Sequence, residues 1–192
     1  MIWYRRKWRD TSGSMDYTEC ERLKKEIIPY IEEHLKPSRL EHTLRVTKLA
    51  KEMAEKFGAD VNKAEIAALL HDMAKYEHRP GVNMDFAHSK IGAEMSKEIF
   101  GIEDEDVLNA IAYHTTGRAG MSTLEKIIFL ADAIEPGRNY PGVEEIRKTA
   151  ETDLDGACIL SLKRTIEHVR DEKGWYLHPA TVEAKEYLEE RH

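Results

Sequence analysis

Ala67-Ala68-Leu69-Leu70-His71-Asp72 closes the most apolar helix that the sequence predicts, and closes it with an imidazole beside a carboxylate. Ile66, Leu69, Leu70 and Met73 give the helix its apolar surface, and Asp60 is placed to cap its start. A carboxylate taken out of water costs several kcal/mol unless it is paired or binds a metal, so a doublet at the end of an interior helix calls for partners.

Those partners lie on the neighbouring segments. On the N-terminal side, Ser38-Arg39-Leu40-Glu41 reads as a capping box, opening a helix that runs to Phe57 and ends at Gly58. Its buried stripe is Val46, Leu49, Met53 and Phe57, and His42 lies four residues before Val46 on the same face. The preceding segment, around 18–36, is amphipathic, and Pro29 is expected to kink or divide it. On the C-terminal side a helix is expected near 86–100, and another from Asp104 toward His114. Ser122-Thr123-Leu124-Glu125 is a second capping box, whose helix runs through Ile134 until Pro136 and Gly137 break it. Further helices are expected around 143–150, 154–173 and 180–190. No alternating pattern is long enough for a strand, and there is no internal repeat. The predicted class is all-α, a single helical bundle with a metal site in its core. Residues 1–15, Arg-rich and ending in Thr-Ser-Gly-Ser before Met15, read as an N-terminal extension, and 16–192 as the domain.

With 192 residues, 41% hydrophobic and 34% charged, the chain is of ordinary globular composition. No apolar run approaches the roughly 20 residues that span a bilayer, and no secretory signal stands at the start. Cys20 and Cys158 make neither a disulfide framework nor a CxxC site, which fits reduced thiols and a cytoplasmic setting. A net charge of −7 argues against nucleic acid, but not against a small anion, which needs only local positive charge.

Asp132, inside Ile127-Ile128-Phe129-Leu130-Ala131-Asp132, lies four residues after Ile128 and faces the core as His42 does. Carboxylates and imidazoles on separate apolar helices cannot satisfy one another by sequence proximity, so convergence on a divalent metal is the economical solution. The donor set suits iron, manganese, zinc, nickel or cobalt and lacks the thiolates of a structural zinc site. His88 and His114, each at a helix terminus, extend the set. His42, His71, Asp72, His88, His114 and Asp132 are enough for two ions, with Asp72 bridging. His34, His78, His168, His178 and His192 show no such placement.

The ordered pattern His42…His71-Asp72…Asp132 resembles the HD-domain phosphohydrolase superfamily. Leu70 to Lys75, Ala87-His88-Ser89, the run Ala110 to Gly117 with its His114-Thr115-Thr116-Gly117, and Leu130 to Arg138 resemble one subgroup, the bacterial YqeK family of symmetrical diadenosine tetraphosphate hydrolases. The resemblance runs from about Leu23 to Ala184. It implies a dinuclear iron centre, cleavage into two ADP and an ADP pocket beside the metals, with a homodimer left open.

Hydrolysis of a phosphate ester needs an activated water, which a metal provides by lowering the water's pKa to near 7. It also needs fixed cations for the phosphoryl oxygens. Asp72, Lys75 and Arg138 are the catalytic candidates, since Lys75 is one helical turn from His71 and Arg138 can fold back over Asp132. Arg39, Lys75, Arg138, Thr115 and Thr116 are candidates for holding the substrate, together with His88 and His114 beside the reacting phosphate. The turn carrying Trp175 could stack on a base. Two other readings stay open: an HD phosphohydrolase of another nucleotide (a nucleoside mono- or triphosphate, a cyclic dinucleotide or a guanosine alarmone), and a catalytically silent metal- or nucleotide-binding regulator.

Overall fold

In the computed structural model, which describes residues 13–81, 83–174 and 176–192, one short helix has eight consecutive residues, 63–70, buried. The elements in chain order are α1 (Tyr17–His34), α2 (Pro37–Phe57), α3 (Val61–Leu70), α4 (Met84–Phe100), α5 (Glu105–Tyr113), α6 (Thr123–Ile134), α7 (Val143–Thr149) and α8 (Leu154–Ile166). A π-helical turn (Glu167–Glu172) extends α8, and α9 (Pro179–Glu189) closes the chain. No strand occurs among the described residues, as expected of an all-α chain.

The buried helix is α3. It is packed by α1, α2, α4, α5 and α6, so beyond Asn62 it has no solvent face. Ile66 and Leu70 meet Val46 of α2, Ile111 of α5 and Ile127, Ile128 and Leu130 of α6 in one core. Each such side chain removed from water contributes about 1.5–3 kcal/mol. The two charged residues of α3 are paired: Lys63 with Asp104 at 2.8 Å, and Glu65 with Lys24 and Lys51 at 3.1 Å each. A helix enclosed in this way delivers whatever follows it to the middle of the molecule, and His71-Asp72 follows it.

Asp60, Asp104 and Ser122 cap α3, α5 and α6 as expected; Ser122 and Glu125 form a complete capping box, and Gly58 ends α2 at φ 70°. Two expectations are corrected. Ser38 is not a cap: α2 begins earlier, with Lys36 at the N-cap and Pro37 in the first turn, where a ring with φ already fixed and no N–H is well suited. Pro29 does not divide α1, which runs on past it, because Leu23, Ile27 and Ile31 seat both halves on the core while Pro29 faces solvent. The predicted helix over 154–173 becomes α8 and its π turn.

Of the segment set apart as an extension, residues 1–12 lie outside the described residues. Residues 13–15 lie against the start of α3: the Met15 amide donates to Asp60 at 2.7 Å, and Asn62 donates to the Met15 carbonyl at 2.8 Å. Trp175, a candidate for base stacking, also lies outside the described residues. No helix is long and apolar enough to cross a membrane among the described residues.

Candidate metal centre

Five helices contribute one end or one turn each to a single polar pocket in the core. His42 projects from α2, His71 terminates α3 with Asp72 in the turn beyond it, His88 sits in α4, His114 terminates α5, and Asp132 lies in the last turns of α6. All but Asp132, which is partly open, are buried.

The two oxygens of Asp72 divide the histidines between them. Oδ2 faces His71 Nε2 at 3.4 Å and His42 Nε2 at 3.9 Å, while Oδ1 faces His88 Nε2 at 3.3 Å and His114 Nε2 at 3.6 Å. Asp132 Oδ1 stands 3.0 Å from His42 Nε2. The donor atoms of His42, His71 and Asp132 lie within 4.8 Å of one another, as do those of His71, Asp72 and His114. The six residues singled out from sequence are therefore brought to one place.

The other ring nitrogen of each histidine is already used. Nδ1 of His71 meets the Ala68 carbonyl at 2.6 Å, that of His88 the Met84 carbonyl at 2.8 Å, and that of His114 the Ile111 carbonyl at 2.8 Å. A carbonyl only accepts, so each Nδ1 carries the proton and each Nε2 keeps its lone pair. His42 obtains the same tautomer from Glu135, whose Oε1 is 3.0 Å from its Nδ1. The four Nε2 atoms are buried and make no hydrogen bond. Four lone pairs directed at two carboxylates are what divalent ions fill and what few other groups can satisfy. The chemistry of this donor set fits a metal.

Glu135, within the Leu130–Arg138 stretch, has a role that sequence reasoning missed. It is buried and accepts from Arg45 Nε at 2.6 Å and from the Gly137 amide at 2.5 Å. Burial raises its pKa, but Arg45, His42 and Gly137 outweigh it and hold the carboxyl at about 2. Glu135→Ala is expected to release His42 and to lower metal affinity or kcat/KM by about 10–100-fold, with helical content unchanged. Metal content of the dialysed variant and steady-state kinetics check this, and wild-type values for both would refute it.

The cationic candidates differ in placement. Arg39 Nη1 bonds Asp72 Oδ2 at 2.9 Å. Arg138 folds back as expected, with Nη2 on Asp132 Oδ1 at 2.5 Å and Nε on the Asp132 carbonyl at 2.8 Å. Lys75, three residues beyond Asp72, is half-buried, and its side chain makes no hydrogen bond or ion pair among the described residues. Thr115 donates to the Ser89 hydroxyl at 3.1 Å, while the buried Thr116 hydroxyl is engaged by the Gly117 carbonyl at 2.9 Å.

Comparison with known proteins agrees with this geometry. Residues 39–137 match the HD domain family model. A Bacillus subtilis protein named symmetrical bis(5'-nucleosyl)-tetraphosphatase is 43% identical, the match covering 74% of this chain and 86% of that one. A Staphylococcus aureus protein of the same name is 37% identical, over 79% and 84% respectively. A crystal structure from Clostridium acetobutylicum, described as a predicted HD superfamily hydrolase involved in NAD metabolism, superposes with a TM-score of 0.80 at 39% identity and covers 94% of this chain and 100% of its own.

Proposed function

From the premise that this chain belongs to the HD domain family, we infer that it is a hydrolase splitting bis(5'-nucleosyl) tetraphosphates symmetrically, diadenosine tetraphosphate into two ADP. The observation that carries the reading is the set of four buried Nε2 lone pairs shared out over the two oxygens of Asp72.

His42, His71, Asp72 and Asp132 would hold one divalent ion, and Asp72, His88 and His114 a second. Iron is the proposed metal, supported by the all-nitrogen-and-oxygen donor set, which manganese, zinc, nickel and cobalt also suit. Bound there, such ions supply Lewis acidity and a water of lowered pKa. The chain's own groups do the rest. Arg138 and Arg39 border the two carboxylates, and each can turn a guanidinium to non-bridging phosphate oxygens as charge builds there. Lys75, half-buried three residues beyond Asp72, can neutralise the same oxygens. Thr115, whose hydroxyl now donates to Ser89, would turn to the same oxygens when substrate binds. Burial of the histidines keeps bulk water off the inner side of the pocket.

Water attacks one of the two central phosphorus atoms, its oxygen stays on that ADP, and the bridging oxygen leaves with the other ADP. Hydrolysis in ¹⁸O-water with ferrous or manganous ion is expected to give ADP as sole nucleotide product, half of it carrying one ¹⁸O. AMP together with ATP would overturn symmetrical cleavage. No turnover would leave the other HD substrates or a silent regulator. The intact ligand set disfavours the silent regulator.

A further inference from the structure

The last carbonyls of a helix have no partner within it, and those shut off from water need donors from elsewhere. At the end of α6 the following chain supplies them in order. The Glu135 amide donates to the Ala131 carbonyl at 3.0 Å, and Arg138 Nε to that of Asp132 at 2.8 Å. The Tyr140 hydroxyl, on a ring that faces α8, donates to the Ala133 carbonyl at 2.9 Å, and Arg147 Nε to that of Ile134 at 2.9 Å. Arg138 and Tyr140 come from the strap 135–142 that joins α6 to α7, and Arg147 from α7 itself. The helix end tied off in this way is the one that carries Asp132.

Arg147 does more than close the helix. Its Nη2 donates to the Glu135 carbonyl and to the Arg138 carbonyl, each at 2.8 Å, and Nη1 pairs with the exposed Glu144 of its own helix. One guanidinium thus spans the carbonyls of residues 134, 135 and 138, which takes a flat fork of donors; an ammonium is a point donor and cannot reproduce it. The base from which it reaches is fixed, because Val143 and Ile146 seat α7 on the core.

The strap held by that fork presents Glu135 to His42, whose Nδ1 is 3.0 Å from Glu135 Oε1. Arg45 grips the same carboxylate from α2, and it passes so close to Gly137 that a Cβ there would lie 2.7 Å from Arg45 Nη2. The carboxylate is therefore held from one side by a side chain and from the other by its own backbone. Among the described residues, Arg147 itself bonds no candidate ligand.

We propose that Arg147 is a positioning residue of the metal centre: by fixing the backbone of residues 134–138 it sets the Glu135 carboxylate against His42 Nδ1, and so keeps His42 Nε2 directed into the pocket. The proposal rests on the reading of the pocket as a metal centre, and it gives α7, which contributes no ligand, a part in it.

The test is binding of manganous ion to the full chain, measured by calorimetry well below the melting transition on variants whose helical content matches the parent's. Arg147→Ala is expected to weaken the ion about tenfold, the scale of losing a group that orients a ligand from outside. Arg147→Lys keeps a positive charge at the end of α6 but not the fork, and is expected to stay within about twofold of Arg147→Ala. The lysine variant decides the matter if the alanine variant does not fold. Added to Glu135→Ala, Arg147→Ala is expected to cost less than about threefold more, since both remove the same support of His42. A lower Tm with parental affinity for the ion would mean that the arginine holds only the fold, and overturns the proposal. So does a double variant whose loss is the product of the two single losses. A parent that binds manganous ion no better than its variants do sinks the proposal alone. A parent that binds none sinks the metal reading, and the proposal with it.

Discussion

Asp72→Ala is expected to lower kcat/KM for diadenosine tetraphosphate by about 10³-fold or more while leaving the helices intact. Loss of a group that merely orients a ligand costs about 10–100-fold, and Asp72 faces all four imidazoles itself. Its two oxygens separate the histidines into His42 with His71 and His88 with His114, which is the arrangement proposed to link two ions. The lost carboxylate also leaves Arg39 without its 2.9 Å partner, adding positive charge where a cation must bind. Steady-state kinetics with metal analysis of the purified variant decide the matter. Activity within tenfold of wild type, at full metal content, would contradict the role.

Metal removal should be the largest perturbation of stability. Each buried polar atom without a partner costs on the order of 1–3 kcal/mol, and four ring nitrogens are in that position. An ion that binds only the native state adds RT ln(1 + [L]/Kd), about 4 kcal/mol at a thousandfold excess over Kd. For a chain of 192 residues, 1 kcal/mol moves Tm by about 2–4 °C. Titrating ferrous or manganous ion into chelated protein is therefore expected to raise Tm by about 8–16 °C. A flat Tm across the series would mean that the cluster does not hold the ion.

Much of the frame was legible because it is local. Asp60, Asp104, Ser122 and Gly58 announce helix ends through chemistry confined to three or four residues. The candidate ligands were legible because a polar residue on an apolar face contradicts its surroundings, as His42 and Asp132 do. Ser38 misled because its pattern matches a capping box while the neighbouring Pro37 fixes an earlier start. Pro29 misled because the cost of one proline is visible in sequence and the packing that outweighs it is not. Glu135 joins Arg45 across 90 positions, and Tyr140 faces α8; both depend on how helices lean together, which periodicity does not encode.

The enclosed α3 has a consequence for exchange and access. A rod gripped by five neighbours cannot swing aside, so its amides should open to deuterium only when the whole domain unfolds. Among the described residues, the pocket meets solvent where Asp132, Arg138 and Arg39 are partly exposed. A substitution that loosens the grip, at Ala67 or Ala68 for example, would make the ion labile without touching a ligand. The same enclosure fixes where His71 and Asp72 stand, so the geometry of the pocket and the stability of the domain are read at two ends of one helix.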